Sequence, residues 1–113
     1  MSDTLLVITN LPDVESATRL AHRLISERAA ACVNQLASCT STYRWQGKIE
    51  TATEIPLLIK TSSAAYSRLE SLIRETHPYE LPEIIAVPVT AGLPAYLGWV
   101  CGETNIDQEI NED

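Results

Sequence analysis

The apolar positions along the first quarter of the chain follow two periods, and each predicts one element. An apolar run at residues 5–10, with the sequence LLVITN, is typical of a buried strand. Asp13 then supplies a helix N-cap, and apolar residues recur at steps of three and four from Val14 to Ile25. We therefore predict a strand followed by an amphipathic helix, with His22 on the polar face.

A long β-hairpin is predicted around a two-residue turn that contains Gly47. Its arms, residues 31–45 and 48–60, are rich in small and β-branched residues. Each arm would reach about 40 Å at about 3.3 Å per residue, whereas a compact domain of this size has a radius of gyration of about 13 Å. We expect that the strands bend, with Ser38 or Pro56 as candidate bulge sites, and that the tip projects towards another subunit.

The predicted turn also sets the register of the hairpin. Trp45 faces Lys48 and Tyr43 faces Glu50 across the ladder, so the four side chains share one face. Lys48 and Glu50, with Gly47 at the tip, are candidates for a role in assembly.

In the second half of the chain, the spacing of apolar residues again changes between that of a helix and that of a strand. Residues 65–76 carry a helical apolar face that ends before Pro78. Residues 84–89, with the sequence IIAVPV, predict a strand, and residues 92–102 predict a short helix. The order β, α, β, β, α, β with an extra C-terminal helix is the ferredoxin-like arrangement of α+β proteins. We predict one such domain over residues 1–102.

Charge modifies this picture at one end of the chain. The net charge is −7, and residues 103–113 contribute five acidic side chains without a Lys or Arg. We predict a flexible acidic tail over residues 103–113. The remainder shows no basic face with interleaved aromatic residues, which disfavours nucleic acid as a partner.

Several sequence features bear on the compartment. No apolar run approaches the length of about 18 residues that a membrane span needs, and the N-terminus lacks a basic leader and a cleavage pattern. The three cysteines form no CxxC pair and no even disulfide framework. These features predict a cytoplasmic protein without a membrane partner.

Candidate chemistry centres on His77, between a predicted helix and Pro78. Two interpretations stay open: a histidine that complements the helix dipole, and a metal or ligand contact with help from Glu80, Glu83 or another subunit. The chain contains no GxSxG, HExxH, GxGxxG or phosphate-cradling glycine loop. Binding without catalysis is therefore the favoured class.

Five side chains are candidates for the walls of a ligand cleft. Lys60 closes one apolar strand and Glu83 opens the next, so the two could form a half-buried pair if the strand ends meet. Tyr43, Trp45 and Tyr79 would then surround this pair. A structural salt bridge and a ligand pocket are equally compatible with the pattern.

Five segments, spread in order over nearly the whole chain, look familiar as a set: AACVN at 30–34, YRWQGKIE at 43–50, EIPLLIKT at 54–61, HPYELPEIIAVPV at 77–89 and YLGWV at 96–100. Together they resemble the CutA family of divalent-cation tolerance proteins. The resemblance implies a ferredoxin-like subunit, a homotrimer whose long strands cross subunit boundaries, and a role in copper tolerance.

The resemblance also implies a site. Family members are associated with Cu(II) binding through a cysteine of the first strand and histidines before a PY dipeptide. Thr9 and Thr76 stand here at the positions of that cysteine and of a second histidine, so His77 alone carries over. The cleft candidates named above match the family's polar pattern, which implies a cleft between subunits.

The resulting interpretation is a cytoplasmic homotrimer that acts in divalent-cation, chiefly copper, tolerance and is not an enzyme. Its ligand would be Cu(II), another divalent cation or a small anion at the inter-subunit cleft. Two alternatives stay open. One is a trimeric small-molecule sensor of PII-like architecture, although a tight turn at residues 46–47 leaves no room for the mobile loop of that class. The other is a structural trimer that acts through a protein partner.

Overall fold

The computed structural model describes residues 3–106, which form an α+β domain with five strands and three helices. The elements in chain order are β1 Thr4–Leu11, α1 Val14–Ser26, β2 Cys32–Gln35, β3 Cys39–Trp45, β4 Lys48–Ser62, α2 Tyr66–Thr76, β5 Ile85–Pro88 and α3 Pro94–Glu103.

All strand pairs are antiparallel, in the order β2-β4-β1-β5, with β3 paired to β4 beyond the end of β2. β1 and β4 form the centre of the sheet, and β5 lies at its edge. This is the strand order expected for the predicted βαββαβ arrangement.

The hydrophobic core lies between one face of the sheet and the helices α1 and α2. Alternate residues of β1 and β4, among them Val7 and Leu57, point to this face and are fully buried. α1 begins as predicted, because the carboxylate of Asp13 accepts a hydrogen bond from the backbone N–H of Ser16 at 2.7 Å. That hydrogen bond also lowers the pKa of Asp13. His22 is exposed on the outer side of α1.

The long hairpin forms, but its first arm consists of two strands instead of one. β2 and β3 both pair with the continuous strand β4 and are separated by residues 36–38. The break faces Pro56, whose carbonyl oxygen accepts a hydrogen bond from the N–H of Leu36 at 3.0 Å. Proline has no N–H to return to the ladder, which accounts for an interruption at Pro56 and the facing residues, which include Ser38, the other position predicted for a bend.

The hairpin projects from the body of the domain. The principal-axis extents are 52 × 29 × 23 Å and the radius of gyration is 15.1 Å, larger than the value of about 13 Å for a compact domain of this length. Gln46 and Gly47 have φ values of 51° and 81°, as the predicted two-residue turn requires. Trp45 pairs with Lys48, and Tyr43 pairs with Glu50.

α3 packs on the second face of the sheet, where apolar side chains of the edge strand are exposed. Ile85 and Val87 of β5 lie on this face and are 50% and 47% exposed. α3 ends at Glu103, one residue beyond the predicted end. The remaining part of the predicted acidic tail from residue 107 onwards lies outside the described residues.

Candidate functional site

A pocket of about 790 Å³ opens where the projecting hairpin leaves the sheet. We call it the hairpin pocket. Its walls come from the end of β1, the strands β3 and β4, and the loop 78–83 that joins α2 to β5. The lining residues are Asn10, Ser41, Thr42, Tyr43, Trp45, Glu54, Pro78, Tyr79, Glu80, Leu81 and Glu83.

Strand alternation brings the sheet-borne residues of this pocket to one face. Tyr43 and Trp45 are two positions apart in β3, and Glu54 pairs with Cys39 of the same strand. Side chains two positions apart point to the same side of a sheet. Four of the predicted cleft residues, Tyr43, Trp45, Tyr79 and Glu83, therefore line the same pocket.

His77 lies beside the pocket rather than among its lining residues, and both of its ring nitrogens have backbone partners. Nε2 is 2.7 Å from the carbonyl oxygen of Asn10, and Nδ1 accepts a hydrogen bond from the N–H of Tyr79 at 3.1 Å. A carbonyl can only accept, so Nε2 carries the proton and donates it. His77 is 8% exposed. His77 is thus the residue after α2, as predicted, and it fastens the loop to the end of β1.

Tyr79 continues this connection to the hairpin. Its hydroxyl donates a hydrogen bond to Oε2 of Glu54 at 2.9 Å, and its ring lies 4.7 Å from that of His77. Burial, the hydrogen bond to Glu54 and the negative charge of Glu54 raise the pKa of Tyr79 to about 12. The hydroxyl therefore stays a donor over the physiological pH range.

Asn10 and Glu54 belong to the site although the sequence did not mark them as site residues. The side-chain amide of Asn10 donates a hydrogen bond to Oε1 of Glu83 at 2.9 Å, and Glu54 is 8% exposed. A usable signal is present in both cases, because each is a polar residue next to an apolar strand run, in LLVITN and in EIPLLIK. A polar residue at such a position needs a partner when it is buried.

The predicted pair between Lys60 and Glu83 is wrong. Lys60 pairs with Leu6 in β1, whereas Glu83 bonds to Asn10, four residues further along that strand, a separation of about 13 Å. The ammonium of Lys60 donates instead to the side-chain carbonyl of Asn34 and lies 3.9 Å from Sγ of Cys32.

Because Lys60 lies outside the cleft, the positive charge expected there is missing. The described residues that line the pocket include three carboxylates and no Lys, Arg or His. A small anionic ligand would therefore meet like charge, which disfavours that expectation.

The residues predicted for assembly lie at the far end of the hairpin. Gly47 occupies the turn, and Lys48 and Glu50 are exposed. None of the three lines the hairpin pocket, although Lys48 and Glu50 pair with the pocket residues Trp45 and Tyr43.

The described residues hold no group of three or more His, Cys, Asp or Glu close enough to bind a metal ion. Thr9 is fully buried on the core face, opposite to its neighbour Asn10, and the hydroxyl of Thr76 donates to the carbonyl of Leu72 at 2.9 Å. The metal assignment of His77 stays a prediction, and a metal could reach the ring only after one of its two hydrogen bonds breaks. No helix in residues 3–106 has the length and apolar character to cross a membrane.

Comparison with known proteins assigns this chain to one family. A sequence profile described as CutA1 divalent ion tolerance protein matches residues 5–103. The divalent-cation tolerance protein CutA of Thermus thermophilus is 42% identical over 94 residues, which cover 83% of this chain and 91% of that protein. Protein CutA of mouse is 44% identical over 89 residues, 79% of this chain, and this chain spans 50% of its length.

Solved structures agree with the sequence comparison. The crystal structure of CutA from Xylella fastidiosa superposes with a TM-score of 0.89 at 49% identity, and the match covers 92% of this chain and all of that one. The chain therefore belongs to the CutA1 family of divalent ion tolerance proteins.

Proposed function

We propose that this protein acts in divalent-cation tolerance, chiefly of copper, as a homotrimer with its binding site at the hairpin pocket. The observation that carries this proposal is the family match over residues 5–103, together with the name of the Thermus thermophilus relative as a divalent-cation tolerance protein. The hairpin pocket and the exposed strand edges support the proposed site and the proposed assembly.

The projecting hairpin and the second face of the sheet support assembly. Residues 48–54 of β4 pair only with β3, and within residues 3–106 no strand pairs with the outer edge of β5. Exposed strand edges next to apolar side chains such as Ile85 and Val87 are liabilities in a monomer and are used for pairing in oligomers. We propose that two further copies cover these edges, with Gly47, Lys48 and Glu50 at the contacting tip.

The hairpin pocket is the natural place for a cleft between subunits, because it lies beside the unpaired edge of β4. A neighbouring chain on that edge would form its missing wall. The neighbouring chain would also supply metal ligands, because Glu54 and Glu83 of one chain can approach a bound ion from one side only. Cu(II) held by carboxylate oxygens alone would bind weakly compared with a site that includes imidazole.

His77 is the candidate nitrogen ligand in this proposal. Nδ1 carries the ring's free electron pair and is engaged only by the N–H of Tyr79. A small movement of the loop 78–83 would release it. His77 contacts Asn10 and Tyr79, whose side chains donate to Glu83 and Glu54, so the ring is linked to both carboxylates through one residue each.

We also propose that the protein is not an enzyme and that it lies in the cytoplasm. The three free cysteines fit a reducing compartment. The hairpin pocket offers carboxylates and aromatic rings rather than a nucleophile activated by a base, which fits a binding protein.

The test is a Cu(II) titration against a competing chelator, with nitrogen coupling measured by electron paramagnetic resonance. We expect about one ion per subunit or per trimer, with nitrogen coupling lost in His77→Ala and retained in the matched control His22→Ala, which removes the exposed histidine of α1. Binding that matches the chelator's background, or that is lost equally in both variants, would contradict the copper assignment. Light scattering at micromolar protein should give the trimer mass, and a monomer mass would contradict the assembly.

A further inference from the structure

The charge of the hairpin pocket is the first guide to its ligand. Its lining includes the carboxylates of Glu54, Glu80 and Glu83. Tyr79 and Asn10 donate neutral hydrogen bonds to Glu54 and Glu83, and these bonds leave the negative charges in place. The salt bridges of residues 3–106 all lie elsewhere, at Arg23 and Arg28. The pocket therefore favours a positively charged guest.

The aromatic walls are the second guide. Tyr43 and Trp45 project from the same face of β3, and Tyr79 lines the same pocket from the loop. Aromatic faces attract organic cations through the negative potential above the ring, with Trp the most favourable. Hydrated divalent ions gain less from such walls because they need oxygen or nitrogen ligands.

Size is the third guide. A volume of about 790 Å³ lies in the range of small-molecule sites and exceeds by far the space of a single ion. A purely apolar molecule would use the rings but would leave the buried carboxylate of Glu54 without compensation.

We propose that the hairpin pocket binds a small organic cation, an alkylammonium or quaternary ammonium group. Glu54 and Glu83 supply the compensating charge, and Tyr43, Trp45 and Tyr79 contact the apolar surface of the cation. The inference rests on the proposed function, in that it takes the hairpin pocket as the binding site, and it names the chemical class of ligand.

The test compares choline with its neutral isostere 3,3-dimethylbutan-1-ol, which has the same shape without the charge. Binding is followed by Trp45 fluorescence in a Trp99→Phe background, since these are the two tryptophans of the chain, and by calorimetry. We expect saturable binding of choline and at least about tenfold weaker binding of the isostere.

Charge variants locate the effect. Glu83→Gln should weaken choline binding about tenfold and leave the isostere unchanged, whereas Glu15→Gln, the same charge change on the exposed surface of α1, should change neither. Circular dichroism and the oligomer mass verify that each variant is folded and assembled. Equal binding of choline and the isostere, or no saturable response to choline by either method, would overturn the inference.

A copper titration run beside this experiment separates the two proposals. Cu(II) binding that depends on His77, without a preference for choline over the isostere, would contradict the organic-cation proposal and support the metal function. A preference for choline that Glu83→Gln removes, without Cu(II) binding, would support the organic-cation proposal and contradict copper as the ligand.

Discussion

The two halves of β4 differ in what surrounds them, although they form one continuous strand of 15 residues. Between residues 55 and 61 every second side chain is buried on the face that packs against α1 and α2, and Leu57 and Ile59 are fully inaccessible. Between residues 48 and 53 no side chain is buried, and Ile49 is 71% exposed. One half thus stabilises the isolated subunit, while the other carries apolar surface that only another molecule can cover.

The largest expected effect comes from removing side-chain volume in the buried half. Leu57→Ala should lower the free energy of unfolding by about 3 kcal/mol, because it removes a fully buried side chain and leaves a cavity. Ile49→Ala should change it by less than about 0.5 kcal/mol in dilute protein. Urea unfolding of both variants provides the measurement.

Varying the protein concentration tests whether assembly covers the exposed half of β4. If assembly covers the exposed half, the effect of Ile49→Ala should grow as the concentration rises, whereas that of Leu57→Ala should stay constant. An Ile49→Ala effect independent of concentration would argue that the hairpin does not contact other copies.

A smaller effect is expected at the turn. A Cβ atom added to Gly47 meets no other heavy atom within 4 Å, so the cost of Gly47→Val comes from the positive φ alone, about 1–2 kcal/mol. The melting temperature should fall and assembly should weaken. Gly47→Asn is the matched control, because Asn tolerates this conformation better. Equal melting temperatures of wild type and Gly47→Val would show that the turn does not constrain the hairpin.

The smallest expected effect concerns the connection between the loop and the hairpin. Tyr79→Phe removes the hydrogen bond to Glu54 and should lower the free energy of unfolding by about 1 kcal/mol at neutral pH. Folding raises the pKa of Tyr79 from about 10 to about 12. The contribution of this group is therefore full below pH 10 and is lost as the pH rises from about 10 to 12.

Urea unfolding at several pH values in this range checks the sign. Tyr66 and Tyr96 also have raised pKa values and contribute to wild type and variant alike, so the difference between the two proteins reports Tyr79. A difference in stability that stays constant between pH 9 and pH 12 would contradict the raised pKa.

Local sequence signals predicted the parts of the fold that depend on near neighbours. The cap at Asp13, the turn at Gly47 and the end of α2 before His77 each follow from a few adjacent residues. Their physical causes, a side-chain hydrogen bond, a positive φ and the steric effect of proline on the residue before it, need no information about distant strands.

The incorrect or missed parts depend on contacts between distant positions. The sequence suggests a pair of Lys60 and Glu83 because both flank apolar strands, but the register of β4 on β1 decides where they lie, and the sequence of one strand does not contain that register. The roles of Asn10 and Glu54 likewise arise from partners 73 and 25 positions away. Tertiary pairing, rather than propensity, fixes these side chains.

The pairing of β1 with β4 has a consequence for synthesis. The two strands that form the centre of the sheet are joined residue by residue, from Thr4 with Ser62 to Leu11 with Ile55, so partners lie roughly fifty positions apart in the chain. At about 5–20 residues per second, β1 leaves the ribosome several seconds before its partner exists. During that interval α1 is the only neighbouring element that can shield this apolar strand, and the nascent chain is most exposed to misassociation then.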